Sequence, residues 1–251
     1  MSLISWKNYV DDGTITTTFG TNILSQNNLK TRQIGDIYRQ DLDASPLGTG
    51  THIKVDFGSA KETKIVCALN HNQAGAAYSL RFGTTSGATD VGSVAGTFAA
   101  ATSYDANNDM LYLSTPYTAR YFTMVITPVV PGGLVDMGRL WIDNGFVPNI
   151  GMDFGMGVID RSTKTKSRGG STYSAPRQIL RKLDVNAIGR STADFIGTSA
   201  DFDSLLTMDL ACGVSSEIVV LPMTDSQHNL NRMGVYGTIS SNGPIHVQNK
   251  G

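Results

Sequence analysis

Few residues in this chain are of a type that does chemistry, and their spacing does not favour it. The four histidines, His52, His71, His228 and His246, never fall at the short intervals by which paired imidazoles hold zinc. Asp105, Asn107 and Asp109 put oxygens at alternate positions, as the start of an EF-hand loop does. Its sixth position is Met110 where the turn needs glycine, and its twelfth is Pro116 where calcium needs glutamate, so the run reads as a turn. Gly197-Thr198-Ser199-Ala200-Asp201 lacks the last glycine of a nucleophile elbow. Gly155-Met156-Gly157 holds two glycines of a dinucleotide fingerprint, but Asp160 stands where the third belongs. Two carboxylates for glycoside cleavage need only closeness in space, so no pair can be named from sequence. The expectation is a non-enzyme with no catalytic residue, metal or cofactor.

Two groupings remain as binding candidates. The first is basic: Arg161, Lys164, Lys166, Arg168, Arg177, Arg181 and Lys182 follow one another with no acid among them. The rest of the chain then holds 13 basic against 21 acidic residues, a balance of -8. A positive arm of this kind could clasp an acidic patch on a second copy, with Arg161, Lys164, Lys166 and Arg168 as subunit contacts; a merely solvated loop is the plain alternative. Nucleic acid is the lesser option, because Tyr173 is the one aromatic interleaved with the charges. The second grouping, Tyr104, Asn107, Asn108 and Tyr117, would offer aromatic and amide groups to a sugar if those loops met at one end of the fold. Asn70-His71-Asn72 ends an apolar strand, where amides and imidazole satisfy loop backbone or contact a ligand. Tyr38-Arg39 and Arg139-Leu140-Trp141 read as interior or interstrand contacts through the guanidinium fork.

The elements that would carry these residues are mostly strands. Only 16% of residues are charged and 27 are glycine, which favours strands and turns over surface helices. In Thr51-His52-Ile53-Lys54-Val55-Asp56-Phe57-Gly58 apolar and polar residues alternate, as in a strand with one face buried. Further strands are predicted over 64–70, 77–83, 110–114, 119–127 and 137–143, separated by Gly, Ser, Asn and Pro clusters, which together mean a sandwich or barrel. After Pro148 the glycine-rich run 151–157 and the basic stretch 161–170 read as a bridge and a loop. A strand over 176–185, a helix over 199–212 capped by Ser199 and stopped by Gly213, strands over 217–222 and 234–239, and an Asn242-Gly243 turn complete a small α+β part. The division expected is an N-terminal strand-like segment, 1–30, able to pair with either part, a β-sandwich over 31–148, and an α+β assembly domain over 149–251.

Twenty Lys and Arg against 21 Asp and Glu give a net charge of -1, so no overall field draws the chain to nucleic acid or an anionic membrane. No basic head followed by an apolar stretch opens the chain, and no long uncharged apolar run occurs, so neither an ordinary signal peptide nor a membrane span is expected. Two cysteines, Cys67 in an apolar run and Cys212 at a helix end, are expected to be free buried thiols.

Tyr38-Arg39, Ile53 to Gly58, Val66 to Asn72, Ala77 to Phe82, Ala119 to Phe122 and Met137 to Trp141 together resemble a discoidin-like (galactose-binding-like) jelly roll common in tailed-bacteriophage structural proteins. Tyr38 stands where that pattern carries tryptophan. The order Asp160-Arg161, Gly169-Gly170, Arg177 to Leu183, helix, Val220-Leu221-Pro222 and Val235-Tyr236-Gly237 is similar to the end of distal-tail or tail-tip proteins. The resemblance implies a non-enzymatic virion component, assembled in the host bacterial cytoplasm as a ring or trimer and joining tube, hub or fibres. The other expectation is an adhesion module that recognises a host surface glycan. A jelly roll alone does not license carbohydrate binding.

Overall fold

The computed structural model describes residues 2–42, 50–99, 107–129, 133–147, 151–160, 162–166, 168–169, 172–175, 179–188 and 204–239. Tyr104, Arg161, residues 199–203 and the 242–243 turn lie outside them.

The fold is mainly β, a sandwich followed by a smaller α+β part with antiparallel pairing, as the alternation predicts. Two strands of 19 residues form its spine: β5 (Thr51–Leu69) and β8 (Asp109–Thr127). Each absorbs two predicted strands, with breaks in register between Asp56 and Lys61 and between Thr63 and Ile65. Around them one six-stranded sheet runs β10 (Arg139–Asp143), β5, β8, β6 (Ala77–Gly83), β7 (Gly92–Thr97), with β2 (Thr14–Thr18) also paired to β5. A second sheet, β3 (Thr21–Leu24), β4 (Tyr38–Asp41) and β9 (Leu134–Met137), closes the sandwich. Ile53, Val55, Leu80, Phe82, Phe122, Met124 and Ile126 from the first sheet pack with Tyr38, Val135 and Met137 from the second. Each such side chain contributes about 1.5–3 kcal/mol when fully buried.

The spine has two different halves. Over 51–57 of β5 buried and half-buried residues alternate strictly, while over 65–69 every residue is buried. The reason lies on the outer side of the sheet. There Ile65, Cys67, Leu69, Met110 and Trp141 meet Leu3, Val219, Leu221 and Leu230 of a three-stranded sheet, β1 (Leu3–Ser5), β15 (Glu217–Leu221) and β16 (Val235–Thr238). A strand covered on both faces becomes an apolar run, Ile65-Val66-Cys67-Ala68-Leu69; one covered on a single face keeps its alternation. The N-terminal segment thus gives β1 to one sheet and β2 to another, with a short helix, α1 (Tyr9–Asp12), between them. Cys67 and Cys212 are buried free thiols, and burial raises the pKa of both.

Three expectations are corrected in the second part. The glycine-rich bridge is a strand, β11 (Gly151–Asp160), laddered over its whole length to β14 (Ile179–Ile188), so the peptide groups on its inner edge are satisfied by pairing. The basic loop is in part a hairpin, β12 (Thr163–Lys166) with β13 (Thr172–Ala175), whose alternating threonines favour extended backbone. The helix α2 (Leu205–Cys212) starts from Ser204, whose hydroxyl accepts from the Thr207 N–H at 3.1 Å, and ends at Gly213 with φ of 50°. A further helix, α3 (Gln227–Met233), is capped by Ser226 and has no apolar stripe to announce it; of its residues only Leu230 and Asn231 are buried.

Candidate functional site

The three described sugar-site candidates do not share a surface. Asn107, at φ of 28°, accepts the His71 N–H on its carbonyl at 2.9 Å, and Asn108 Oδ1 accepts the Asn70 N–H at 2.7 Å. The Asn107 main-chain carbonyl and the Asn108 side-chain amide therefore hold the turn before β8. Tyr117 pairs with Thr63, six residues of β5 away from the level of Asn108 because β8 bulges between Tyr112 and Tyr117, which sets it about 20 Å off at the usual rise. Its ring stacks on Phe82 at 4.6 Å and 8°, and a Cβ on Gly92 would strike it, so it is packed as part of the core's edge. Tyr104 lies outside the described residues. Of the subunit-contact candidates, Lys164 and Lys166 share one face of the β12–β13 hairpin and are exposed, as is Arg168 in its turn; Arg161 lies outside the described residues.

The polar residues of the sheet's covered half are occupied by one another. Arg139, at the start of β10, is 1% exposed and forms a fork to Asp11 at 2.8 and 2.9 Å, a bond to Glu217 at 2.7 Å, and another to the Lys30 carbonyl. Glu217 also accepts from the Tyr236 hydroxyl, and burial with that carboxylate drives the phenol's pKa upward. His71 and Asp109 meet at 3.1 Å, and Asp109 takes further N–H bonds from Ala99 at 3.0 Å and from Asn231 of α3 at 2.5 Å. His71 Nδ1 accepts from the Gln73 N–H, so in its neutral form the imidazole proton sits on Nε2, facing Asp109. These are joints that bolt the α+β part to the sandwich. Asn70-His71-Asn72 is thus a satisfied turn, and Tyr38-Arg39 is likewise structural: Tyr38 is buried, and Arg39 forks to Asp136 at 2.7 Å on both arms.

The sheet's other half carries a cleft that sequence spacing did not reveal. Over residues 52–56 of β5 no second layer of the described chain covers the outer face. Register sets three rows across it: Thr14, Asp56, Tyr121, Gly83; then Thr16, Lys54, Thr123, Arg81, Ser93; then Thr18, His52, Val125, Ser79, Ala95. The β6–β7 hairpin tip folds back over these rows. Asp90 pins the tip by accepting the Thr84 N–H at 3.0 Å and its hydroxyl at 2.5 Å, which lowers the Asp90 pKa. Gly87 sits at the crown with φ of 82°, a conformation other residues adopt at a cost, and a Cβ there would come within 3.9 Å of Lys54 Nζ. Floor and roof border a half-open cleft of about 240 Å³ lined by Thr14, Thr16, Lys54, Val55, Asp56, Ser86 and Tyr121.

Its chemistry is mixed. Arg120 forks onto Asp56 at 2.9 Å on both arms and the Gly58 N–H adds a bond at 2.8 Å, holding that carboxyl down at about 2 and ionised. The Arg120 guanidinium also lies 5.0 Å from the Tyr121 ring centre. The cleft therefore presents an acceptor-only carboxylate, an ammonium donor, hydroxyls of both kinds and an aromatic ring in the space of one small polar molecule. No group of three or more His, Cys, Asp or Glu side chains placed to hold a metal occurs among the described residues, and none of the described helices is long and apolar enough to cross a membrane.

No protein-family model matches the chain, and no curated protein matches it. Among solved structures it is similar to the domain CpGH89CBM32-5 from Clostridium perfringens, in complex with GalNAc-β-1,3-galactose, at 10% identity, over 55% of this chain and 99% of that one, with a TM-score of 0.43. It is similar also to the family 32 CBM from C. perfringens NanJ in complex with galactose, at 12% identity over 57% and 98%, TM-score 0.40. A Ruminococcus gnavus GH29 fucosidase in complex with fucose matches at 11% over 56% of this chain and 27% of its own, TM-score 0.41. Likenesses this distant transfer no ligand, and none points to a phage tail component.

Proposed function

We propose that the chain is a non-catalytic glycan-binding module and that its cleft on the open half of the six-stranded sheet takes the sugar. The observation that carries this is Asp56: a carboxylate fixed in the ionised state by Arg120, beside Tyr121 and across from the hairpin roof, with Lys54 and the Thr14, Thr16 and Ser86 hydroxyls around one volume of about 240 Å³. Vicinal sugar hydroxyls donate to such a carboxylate and accept from an ammonium, while a ring's C–H face lies against an aromatic. Because Arg120 and not the ligand fixes Asp56, the acceptor is oriented before binding, which lowers the ordering cost of a weak polar ligand.

A glycan array followed by calorimetry on the hits tests the reading. The native chain binds a defined sugar set, and Asp56→Asn weakens binding at least about tenfold, a loss of roughly 1.4 kcal/mol. The Asp56–Arg120 pair is surface-exposed and worth at most about 1 kcal/mol, so the variant stays folded. Absence of glycan binding, or equal binding by the variant, defeats the proposal.

A further inference from the structure

The middle row of the open face holds two cations without a counter-charge. Lys54 and Arg81 both pair with Thr123, from opposite sides, so they project from the same face about 10 Å apart across three strands. Neither makes a hydrogen bond or ion pair with another described residue. Several other cations are matched: Arg39 has Asp136, Arg120 has Asp56, Arg139 has Asp11 and Glu217, and Lys182 has Asp184. Neither their own row nor the next, Thr18, His52, Val125, Ser79, Ala95, contains a carboxylate. The one acid of the face, Asp56, is already matched by Arg120.

The two side chains are also not free in solvent. Both are half-buried, and Thr123 between them is only 1% exposed, so they lie over the sheet rather than extending away from it. The hairpin crown comes close to the Lys54 ammonium with a glycine, which offers no side chain to neutralise it. One row away His52 packs its ring 4.7 Å from Phe19; its partial burial, then Arg81 and Lys54, hold its pKa below the ordinary value, so that the face gains no third charge near neutrality. Two like charges held this close in a half-buried site repel each other, and an anion seated between them relieves that repulsion.

We infer that the sugar taken by this cleft is acidic, its carboxylate or sulfate group seated between Lys54 and Arg81 above Thr123. This rests on the glycan reading and names the class of glycan. The ring occupies the space by Asp56 and Tyr121, and the anionic substituent points along the middle row, from Lys54 on the cleft floor toward Arg81.

Calorimetry on the full chain with matched sugars tests it: a hexose, the uronic acid of the same configuration, and the same hexose sulfated, each at low and high salt. The acidic sugars bind at least about tenfold tighter than the neutral one, and high salt shrinks that advantage. Arg81→Gln removes most of the preference and leaves the neutral affinity in place, and Lys54→Gln weakens acidic sugars more than neutral ones. The uronic and sulfated arms show which anion fits. Melting temperatures confirm that each variant is folded, and either variant alone suffices for the comparison. Equal binding of neutral and acidic sugars overturns this inference while leaving the glycan reading intact. Absence of binding to any of the three overturns both.

Discussion

The two halves of β5 and β8 belong to the same strands and the same sheet, yet they treat charge in opposite ways. In the covered half the cation, Arg139, is 1% exposed and gripped by two carboxylates from distant segments. In the open half the cations, Lys54 and Arg81, are held half-buried with no partner among the described residues. Covering a sheet face with a second layer forces a buried charge to be matched, by an opposite charge or by hydrogen bonds, because an unmatched one costs several kcal/mol. Where no layer is added, charge can be left unmatched and available to a ligand. The difference separates residues that hold the molecule together from residues that can recognise something else.

The largest effect should come from breaking the covered joint. Arg139→Ala leaves Glu217 buried without its cation and should destabilise the fold by roughly 3–5 kcal/mol, read by urea denaturation. If the loss is below about 1 kcal/mol, the joint between the two parts is not as the structure has it.

Next is Asp143, a buried acid of the same half with hydrogen bonds but no adjacent cation. It accepts from the Ser5 hydroxyl at 2.6 Å and from the Asn144 N–H at 2.7 Å, and burial pushes its pKa up to about 6 from an ordinary 3.8. The folded state thus holds a proton that the unfolded state releases between those values. The contribution is fully present below about pH 3.8 and is lost as pH rises through about 6. A shift of this size corresponds to about 3 kcal/mol at most. Asp143→Asn should flatten stability between pH 4 and 6 in a series of denaturation midpoints; an unchanged slope would show that Asp143 does not titrate as its burial requires.

Asp109→Ala, which orphans His71 and the Asn231 amide across the second joint, should cost about 1–3 kcal/mol. Stability should change least in the open half. Lys54→Gln should alter it by no more than about 0.5 kcal/mol, because no internal partner is lost. A large loss there would mean that Lys54 is structural after all and would erase the contrast between the halves.

Much of this contrast could be read in advance, and part of it could not. The alternation His52 to Phe57 against the run Ile65 to Leu69 shows in the residues themselves, because side-chain period reports how many faces of a strand are covered. The sandwich and its strand order of appearance followed from the same signal. The joints were not legible, since Arg139 reaches Asp11 and Glu217 across 128 and 78 residues. Nor was the cleft: Thr14, Thr16, Lys54, Asp56, Ser86 and Tyr121 come from four segments, and each polar residue read singly is an ordinary solvent-facing strand or turn position. The one local signal was His52-Ile53-Lys54-Val55-Asp56, an outer face carrying three ionisable groups at every second residue. Asn108 and Tyr117 misled for the converse reason. Their types suit a sugar, but one amide closes a turn and the other ring completes a stack. The helix α3 escaped notice because its sequence is polar nearly throughout.

The proposed glycan site is the open sheet face, and not the loops at the end of the sandwich. Backbone amide shifts, followed by nuclear magnetic resonance while a uronic acid is titrated into the full chain, test it most directly. Saturable shifts are expected, concentrated at Thr16, Lys54, Asp56, Arg81, Ser86, Gly87, Tyr121 and Thr123. Shifts centred instead on Asn107 and Asn108, or none at saturating sugar, would contradict it.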